Sequence, residues 1–211
     1  ALIHAGAHLN TKINIHWCDS ERIEDLGAYE VIGNVDAILV AGGFGARGVK
    51  GKLEAIKYAR ENNITFLGIC LGMQLAIIEF ARNVLGIEDA NSIEFNSETK
   101  NPLIYLIDEF IDQSGNKQLR TSKSPLGGTM RLGEYPFEPL KGSKLQKAYG
   151  NNKEYFERHR HRYEANPKYK EALEKAGMII CGESNELIEA DELQNHPWFV
   201  GVQIQPEYTS H

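Results

Sequence analysis

The chain has 211 residues, 42% of them hydrophobic and 25% charged, enough to bury a core as one α/β domain or as a domain with a small appendage. A formal charge of −6 and a pI near 5.7 argue against nucleic acid as a main partner: phosphate binding draws on clustered Lys and Arg, and the one concentrated basic run, Arg158-His159-Arg160-His161-Arg162, is short. No apolar run reaches the roughly 18 residues of a membrane span, no cleavable signal opens the chain, and Cys18, Cys70 and Cys181 are too sparse for a disulfide framework or a metal site, so a reducing, cytoplasmic setting is expected.

In chain order, residues 1–7 look like the end of a helix stopped by Gly6. Residues 13–18 alternate apolar and polar side chains and predict a strand, with Asp19 or Ser20 as cap of a short helix after it. A buried strand over 35–40 ends at Ala41-Gly42-Gly43-Phe44-Gly45, a helix over 52–62 follows, and 64–69 predicts the next strand. Strands and helices alternating at this spacing imply βαβ units and a mainly parallel sheet. Ligands of such sheets bind beyond the carboxyl ends of the strands, where both Gly42-Gly43 and Cys70 fall. A helix over 71–84, a strand over 102–107 and a polar insertion over 112–124, expected to be mobile, come next. The turn Gly127-Gly128 precedes 129–133, and 155–164 is a basic, aromatic strand. Asn166-Pro167 opens a helix through Ala176 that Gly177 ends. Residues 178–181 and 199–204 predict the last strands, the second delivering Gln205-Pro206-Glu207 at its carboxyl end.

The segment Phe66-Leu67-Gly68-Ile69-Cys70-Leu71-Gly72-Met73-Gln74 is an apolar strand that ends on a cysteine and passes straight into a helix. That is the pattern of a nucleophile on a strained elbow, projecting above the sheet edge with a helix N-terminus beneath it, whose dipole and free N–H groups favour thiolate over thiol. Gly68 and Gly72 answer the crowding at such a bend. The bland alternative is a small buried thiol, since free cysteines are among the most buried residues. A thiolate nucleophile also needs a general base and oxyanion donors, and the amides of the Gly42-Gly43 turn and of Leu71 are placed to supply the donors.

Six motifs, in order across nearly the whole chain, carry a family resemblance. They are Gly42-Gly43-Phe44-Gly45-Ala46-Arg47-Gly48, Gly68-Ile69-Cys70-Leu71-Gly72-Met73-Gln74, Asn91-Ser92-Ile93-Glu94-Phe95, Gly127-Gly128-Thr129-Met130-Arg131-Leu132-Gly133, Glu157-Arg158-His159-Arg160-His161-Arg162-Tyr163-Glu164 and Gly201-Val202-Gln203-Ile204-Gln205-Pro206-Glu207-Tyr208. On them the chain resembles the class I, triad-type glutamine amidotransferases, in the branch formed by the glutaminase domain of CTP synthase. The resemblance implies an α/β fold of flavodoxin-like, three-layer type with a mainly parallel central sheet flanked by helices. It implies that Cys70 attacks the amide of L-glutamine, releases ammonia and forms a glutamyl thioester that water hydrolyses. Gly43, Phe44, Leu71, Gly72 and Met73 would lie at the oxyanion and substrate pocket, and Gln74, Glu94 and Arg162 would hold the glutamine. The chemistry agrees, because glutamine carries an ammonium and a carboxylate and its pocket wants an anion and a cation. His159 and His161 share alternation parity with Glu157 and Tyr163 and are read as structural residues of one strand face.

One position departs from that pattern. The family's C-terminal motif is His-Pro-Glu, whose histidine is the base and whose glutamate orients it; this chain has Gln205-Pro206-Glu207. An amide cannot take up a proton near neutral pH, so binding of glutamine with poor hydrolysis is expected. His211, four residues beyond Glu207, is the one histidine that follows the motif and is an unpromising replacement. The resemblance further implies residues 1–211 as one amidotransferase domain without its first strand, and a synthetase domain as partner. That domain would use ATP with magnesium and UTP and would carry any homo-oligomer contacts, while GTP would be an activator with Arg131 as a suspected contact. No metal or resident cofactor is expected in this domain. A catalytically silent, glutamine-binding regulatory module is the alternative, and a cysteine hydrolase of γ-glutamyl peptides is a third.

Overall fold

The structure is a computed structural model that describes residues 1–106, 109–111, 117–119, 130–150 and 152–210, with the backbone alone at 109–111 and 117–119. The chain opens with α1 (Leu2–His8), α2 (Ser20–Leu26) and α3 (Ala28–Ile32), then alternates β1 (Ala37–Val40), α4 (Val49–Glu61), β2 (Thr65–Ile69) and α5 (Leu71–Asn83). Short strands β3 (Asn91–Ser92), β4 (Pro102–Leu106), β5 (Glu109–Ile111) and β6 (Lys117–Leu119) lead to the long β7 (Arg131–Pro139). The remainder is α6 (Lys144–Tyr149), β8 (Tyr155–His161), β9 (Tyr163–Ala165), α7 (Lys170–Lys175), β10 (Met178–Ser184), β11 (Leu187–Leu193) and β12 (Phe199–Val202).

Seven strands form one sheet in the order β1-β2-β12-β11-β10-β7-β8. The three strands around the elbow are parallel, with Val40 opposite Gly68 and Gly201 opposite Gly68 on the other side. Their apolar runs are buried on the sheet faces, and Phe66 stacks on Phe199 with ring centroids 4.3 Å apart. From β12 to β8 the pairing is antiparallel. The α/β architecture with flanking helices is therefore as the sequence implies, but within the large sheet its parallel pairing is confined to β1, β2 and β12. The turn between β10 and β11 spans only Asn185 and Glu186, too short for the crossover that parallel neighbours need. A second sheet, β3-β4-β9, packs against α5. Covered on both sides, α5 buries every residue from Leu71 to Ala81, which explains its nearly continuous apolar composition.

Local signals hold in several places. Asp19 caps α2 by accepting the Glu21 amide at 2.9 Å, and Asn166 caps the turn after it by accepting the Lys168 amide at 3.1 Å. Other expectations need correction. Gly6 does not stop α1; it lies inside the helix because a Cβ there would meet the Thr11 carbonyl at 2.6 Å. Residues 13–18 form no strand, since they pair with no strand among the described residues and β1 is the sheet edge. The strand expected over 155–164 breaks at Arg162, where β8 leaves the large sheet and β9 joins the small one. The helix expected from Asn166 starts as a 3₁₀ turn over Pro167–Tyr169 before α7. The insertion at 112–124 lies outside the described residues except for β6, as do the Gly127-Gly128 turn and His211.

Candidate active site

The elbow forms at the end of β2. Cys70 has φ 53° and ψ −103°, a conformation that L-residues avoid, and directly precedes α5. The Cys70 amide donates to the Val202 carbonyl at 2.7 Å, which ties the bend to the carboxyl end of β12. Glycines make the bend possible. A Cβ on Gly68 would lie 2.7 Å from the Gly72 carbonyl, and one on Gly72 would collide with the Val40 carbonyl. Gly42 and Gly43 cross directly over the elbow: Cβ atoms there would lie 3.4 Å from the Cys70 Cβ and 3.3 Å from Leu71. The Leu71 amide hydrogen-bonds the thiol, and the glycine turn passes close over it.

Cys70 is only 2% exposed. Burial pushes its thiol up to about 11, hydrogen bonds from the Gln205 side chain and the Leu71 amide pull it down, and the charges of Glu164 and Glu207 raise it further. Desolvation is thus the largest influence on the thiol, and it opposes the two hydrogen bonds that favour the thiolate.

Gln205 stands beside the thiol, fixed by its amide donating to the Arg158 carbonyl at 2.8 Å. Its Nε2 also lies 3.4 Å from where a Gly42 Cβ would be, so turn, thiol and amide meet at one point. Gln205 Oε1 and Glu207 Oε2 are both buried without a hydrogen-bond partner among the described residues. Burial raises the Glu207 carboxyl, with the charge of Glu157 adding to it.

The small sheet carries two of the other expected residues. Glu94 follows β3 and Arg162 precedes β9, and the pairing of both strands with β4 sets them at the same end of that sheet. Glu94 Oε1 accepts the Gly45 amide at 2.8 Å, holding the half-buried Glu94 against the Gly42–Gly45 loop. Phe44 of that loop is 49% exposed, with the Arg160 guanidinium 5.8 Å from its ring centroid. Gln74, one turn into α5, donates to the Tyr163 carbonyl and to Gln203 Oε1, each at 2.9 Å. It therefore braces the segment carrying Arg162 and is buried rather than open to a ligand. Met73 and Gly72 are buried behind the elbow, Met73 against Gly201.

A buried charge cluster behind the site was not foreseen. Arg131, 2% exposed, pairs with Glu189 Oε1 at 2.8 Å and Glu164 Oε1 at 3.3 Å. His161 meets Glu164 at 2.9 Å, and His159 bridges Glu189 and the Glu157 carbonyl, each at 2.9 Å. The two histidines line one strand face, as their parity implied. Arg131 is thus engaged inside the protein. Alternation with Gln205 was the available sign for Gln203, while nothing local in the sequence pairs Arg131 with Glu189.

A cysteine on a strand-to-helix elbow of an α/β sheet, with a glycine turn crossing over it and an acid beyond the last strand, is the layout of the nucleophile-elbow proteins. The chain belongs to the class-I glutamine amidotransferases, whose family pattern it matches over residues 1–211. It is 66% identical over 210 residues to the CTP synthase of Sulfurimonas denitrificans and 66% identical to that of Wolinella succinogenes, all of this chain aligning with 39% and 38% of theirs. The chain thus spans about two fifths of the length of these curated relatives. The glutaminase domain of Trypanosoma brucei CTPS with bound acivicin is 38% identical, with a TM-score of 0.83 over 98% of this chain and 77% of that one. A glutamine amidotransferase from Thermotoga maritima, at 14% identity and a TM-score of 0.57 over 98% of this chain and 69% of that one, shares the fold alone.

Proposed function

We propose that the chain is the glutamine-binding, ammonia-releasing part of a CTP synthase, with Cys70 as nucleophile and Glu94 and Arg162 as anchors of the ammonium and carboxylate of L-glutamine. The convergence of the Gly42-Gly43 turn, Cys70, Gln205 and the Glu94 loop supports this reading. The ammonia would serve a synthetase domain that aminates UTP with ATP and magnesium, under GTP activation; that domain would also carry the oligomer contacts.

Gln205 sets the rate in this proposal. Amide cleavage needs a group that accepts the thiol proton and delivers it to the leaving nitrogen, and an amide side chain does neither. Removing one member of a catalytic triad costs roughly 10⁴–10⁶ in kcat and leaves about 10³–10⁴-fold catalysis over water from binding and oxyanion donors. The chain therefore binds glutamine and hydrolyses it slowly. The orphaned Gln205 Oε1 and Glu207 Oε2 favour a second reading, a silent glutamine-binding regulatory module. Glutamate release by the chain, its Gln205→His variant and a Cys70→Ala control separates the two. A gain of orders of magnitude in Gln205→His supports an impaired glutaminase. Equal, cysteine-dependent turnover in both would show that another residue is the base, and no turnover in either supports the silent module.

A further inference from the structure

We propose that Glu157 is a positioning residue: through the Thr209 hydroxyl it locks the turn that carries Glu207, and so keeps the Glu207 carboxyl at the cysteine site. The proposal rests on the glutamine-site reading above and adds to that site a residue of strand β8.

After β12 the chain leaves the sheet, and Glu207 sits in a single 3₁₀ turn, Pro206–Tyr208. The turn has little of its own to hold it: the Tyr208 amide donates to the Gln205 carbonyl and the Thr209 amide to the Pro206 carbonyl, each at 3.2 Å. Strand β8 grips it at both ends. Before the turn, the Gln205 amide donates to the Arg158 carbonyl at 2.8 Å; after it, the Thr209 hydroxyl donates to Glu157 Oε2 at 3.3 Å, with the Pro206 carbonyl as a second acceptor at 3.1 Å. Neighbouring residues of one strand therefore hold positions 205 and 209. Glu157 is itself fixed: it is 8% exposed, it lies opposite Tyr135 in the β7–β8 ladder, and its Oε1 accepts the Tyr149 hydroxyl at 3.0 Å. A carboxylate is also a stronger acceptor than a neutral group. Between the two grips stands Glu207, whose Oε2 is buried without a hydrogen-bond partner among the described residues and whose charge acts on the Cys70 thiol. The Glu157 charge reaches Glu207 too and raises its carboxyl, against the opposing amino group of Ala1.

The test uses two near-isosteres: Thr209→Val keeps the shape and loses the hydroxyl, whereas Thr209→Ser keeps the hydroxyl and loses the methyl group. Amide hydrogen exchange at Tyr208 and Thr209 and the titration of the Glu207 carboxyl are followed by NMR. In Thr209→Val the two amides should exchange about 10-fold faster or more, the scale of a lost hydrogen bond to a charged acceptor, and Glu207 should titrate closer to its ordinary range as the turn opens to water. Thr209→Ser should rescue both readouts. Glu157→Gln should speed the same two amides, and adding Thr209→Val to it should change little more, because the two groups act as one pair. Unchanged exchange in Thr209→Val or Glu157→Gln, additive effects of the two, or Thr209→Ser behaving like Thr209→Val overturns the proposal. In the Gln205→His chain, Thr209→Val should lower kcat for glutamine by about 10-fold or more at unchanged KM, as displacement of a catalytic group does, and an unchanged kcat overturns the proposal. A Gln205→His chain that does not hydrolyse glutamine, with the exchange pattern as expected, removes the glutaminase reading and supports the clamp.

Discussion

Gly72 has no room for a side chain: its Cα faces the Val40 carbonyl so closely that any Cβ would strike backbone. Backbone cannot swing aside as a side chain does, so Gly72→Ala must separate α5 from β1 or unbend the elbow. A loss of about 1–3 kcal/mol in thermal or urea unfolding is expected, with loss of Cys70 reactivity; a fully stable variant would contradict the contact. Asp191 poses the opposite case. It is buried, neither oxygen has a well-formed hydrogen bond, and burial, with Glu192 beside it and only the Gly201 amide opposing, pushes its carboxyl from 3.8 up to about 8. The unfolded chain gives up this proton near pH 4 and the folded one only near pH 8, so its contribution to stability is lost as pH rises through that window. Asp191→Asn removes the penalty. It should match the parent below pH 4 and exceed it by roughly 2–4 kcal/mol at pH 7, a gap read from urea midpoints at several pH values. A gap independent of pH would show that Asp191 ionises freely.

At the scale of elements, the Arg131 cluster joins β7, β8, β9 and β11, and so fixes the edge of the small sheet that carries Arg162. Arg131 holds the Glu189 carboxyl down to about 2, and His161 together with Arg131 lowers Glu164. Such lowered carboxyls stabilise the fold above their ordinary range near 4.5 and lose that contribution as pH falls toward 2. Arg131→Ala leaves two buried carboxylates with less compensation, and a loss of about 3–5 kcal/mol at pH 7 follows. Acidification toward pH 4 should narrow the deficit as the carboxyls protonate. A deficit constant from pH 8 to pH 4 would mean that lost packing, and not charge, is responsible. This cluster also marks the limit of legibility in the sequence. The elbow is readable because its determinants, Gly68, Cys70 and Gly72, lie within five residues. Strand β11 is not, because Glu189, Asp191 and Glu192 break its apolar pattern, and only distant partners make those acids tolerable inside. Helix α6 was legible but overlooked: Ser143 followed by Gln146 is a capping pair, and Ser143 accepts the Gln146 amide at 2.9 Å. Residues 13–18 mislead for the converse reason, since alternation favours a strand but cannot supply the neighbour it pairs with.

For the whole molecule, the proposed glutamine site lies where the two sheets meet across α5. Cys70 and Gln205 hang from the large sheet and Glu94 and Arg162 from the small one, with Gln74 bonded to both through Gln203 and Tyr163. A ligand gripped from both sides is bound by the folded chain and not by the unfolded one, so glutamine should stabilise the entire domain whether or not it is hydrolysed. At a concentration 100 times the dissociation constant the gain is about 2.7 kcal/mol, which for a chain of this length raises Tm by roughly 5–10 °C. Glu94→Gln and Arg162→Gln should each abolish most of the shift, because each removes the partner of one charged end of the ligand. Cys70→Ala should keep it, since the thiol serves the chemistry and not the anchoring. A shift of the same size in all three variants would place glutamine elsewhere on the protein, whereas loss in the anchors alone would separate recognition by Glu94 and Arg162 from the chemistry proposed for Cys70.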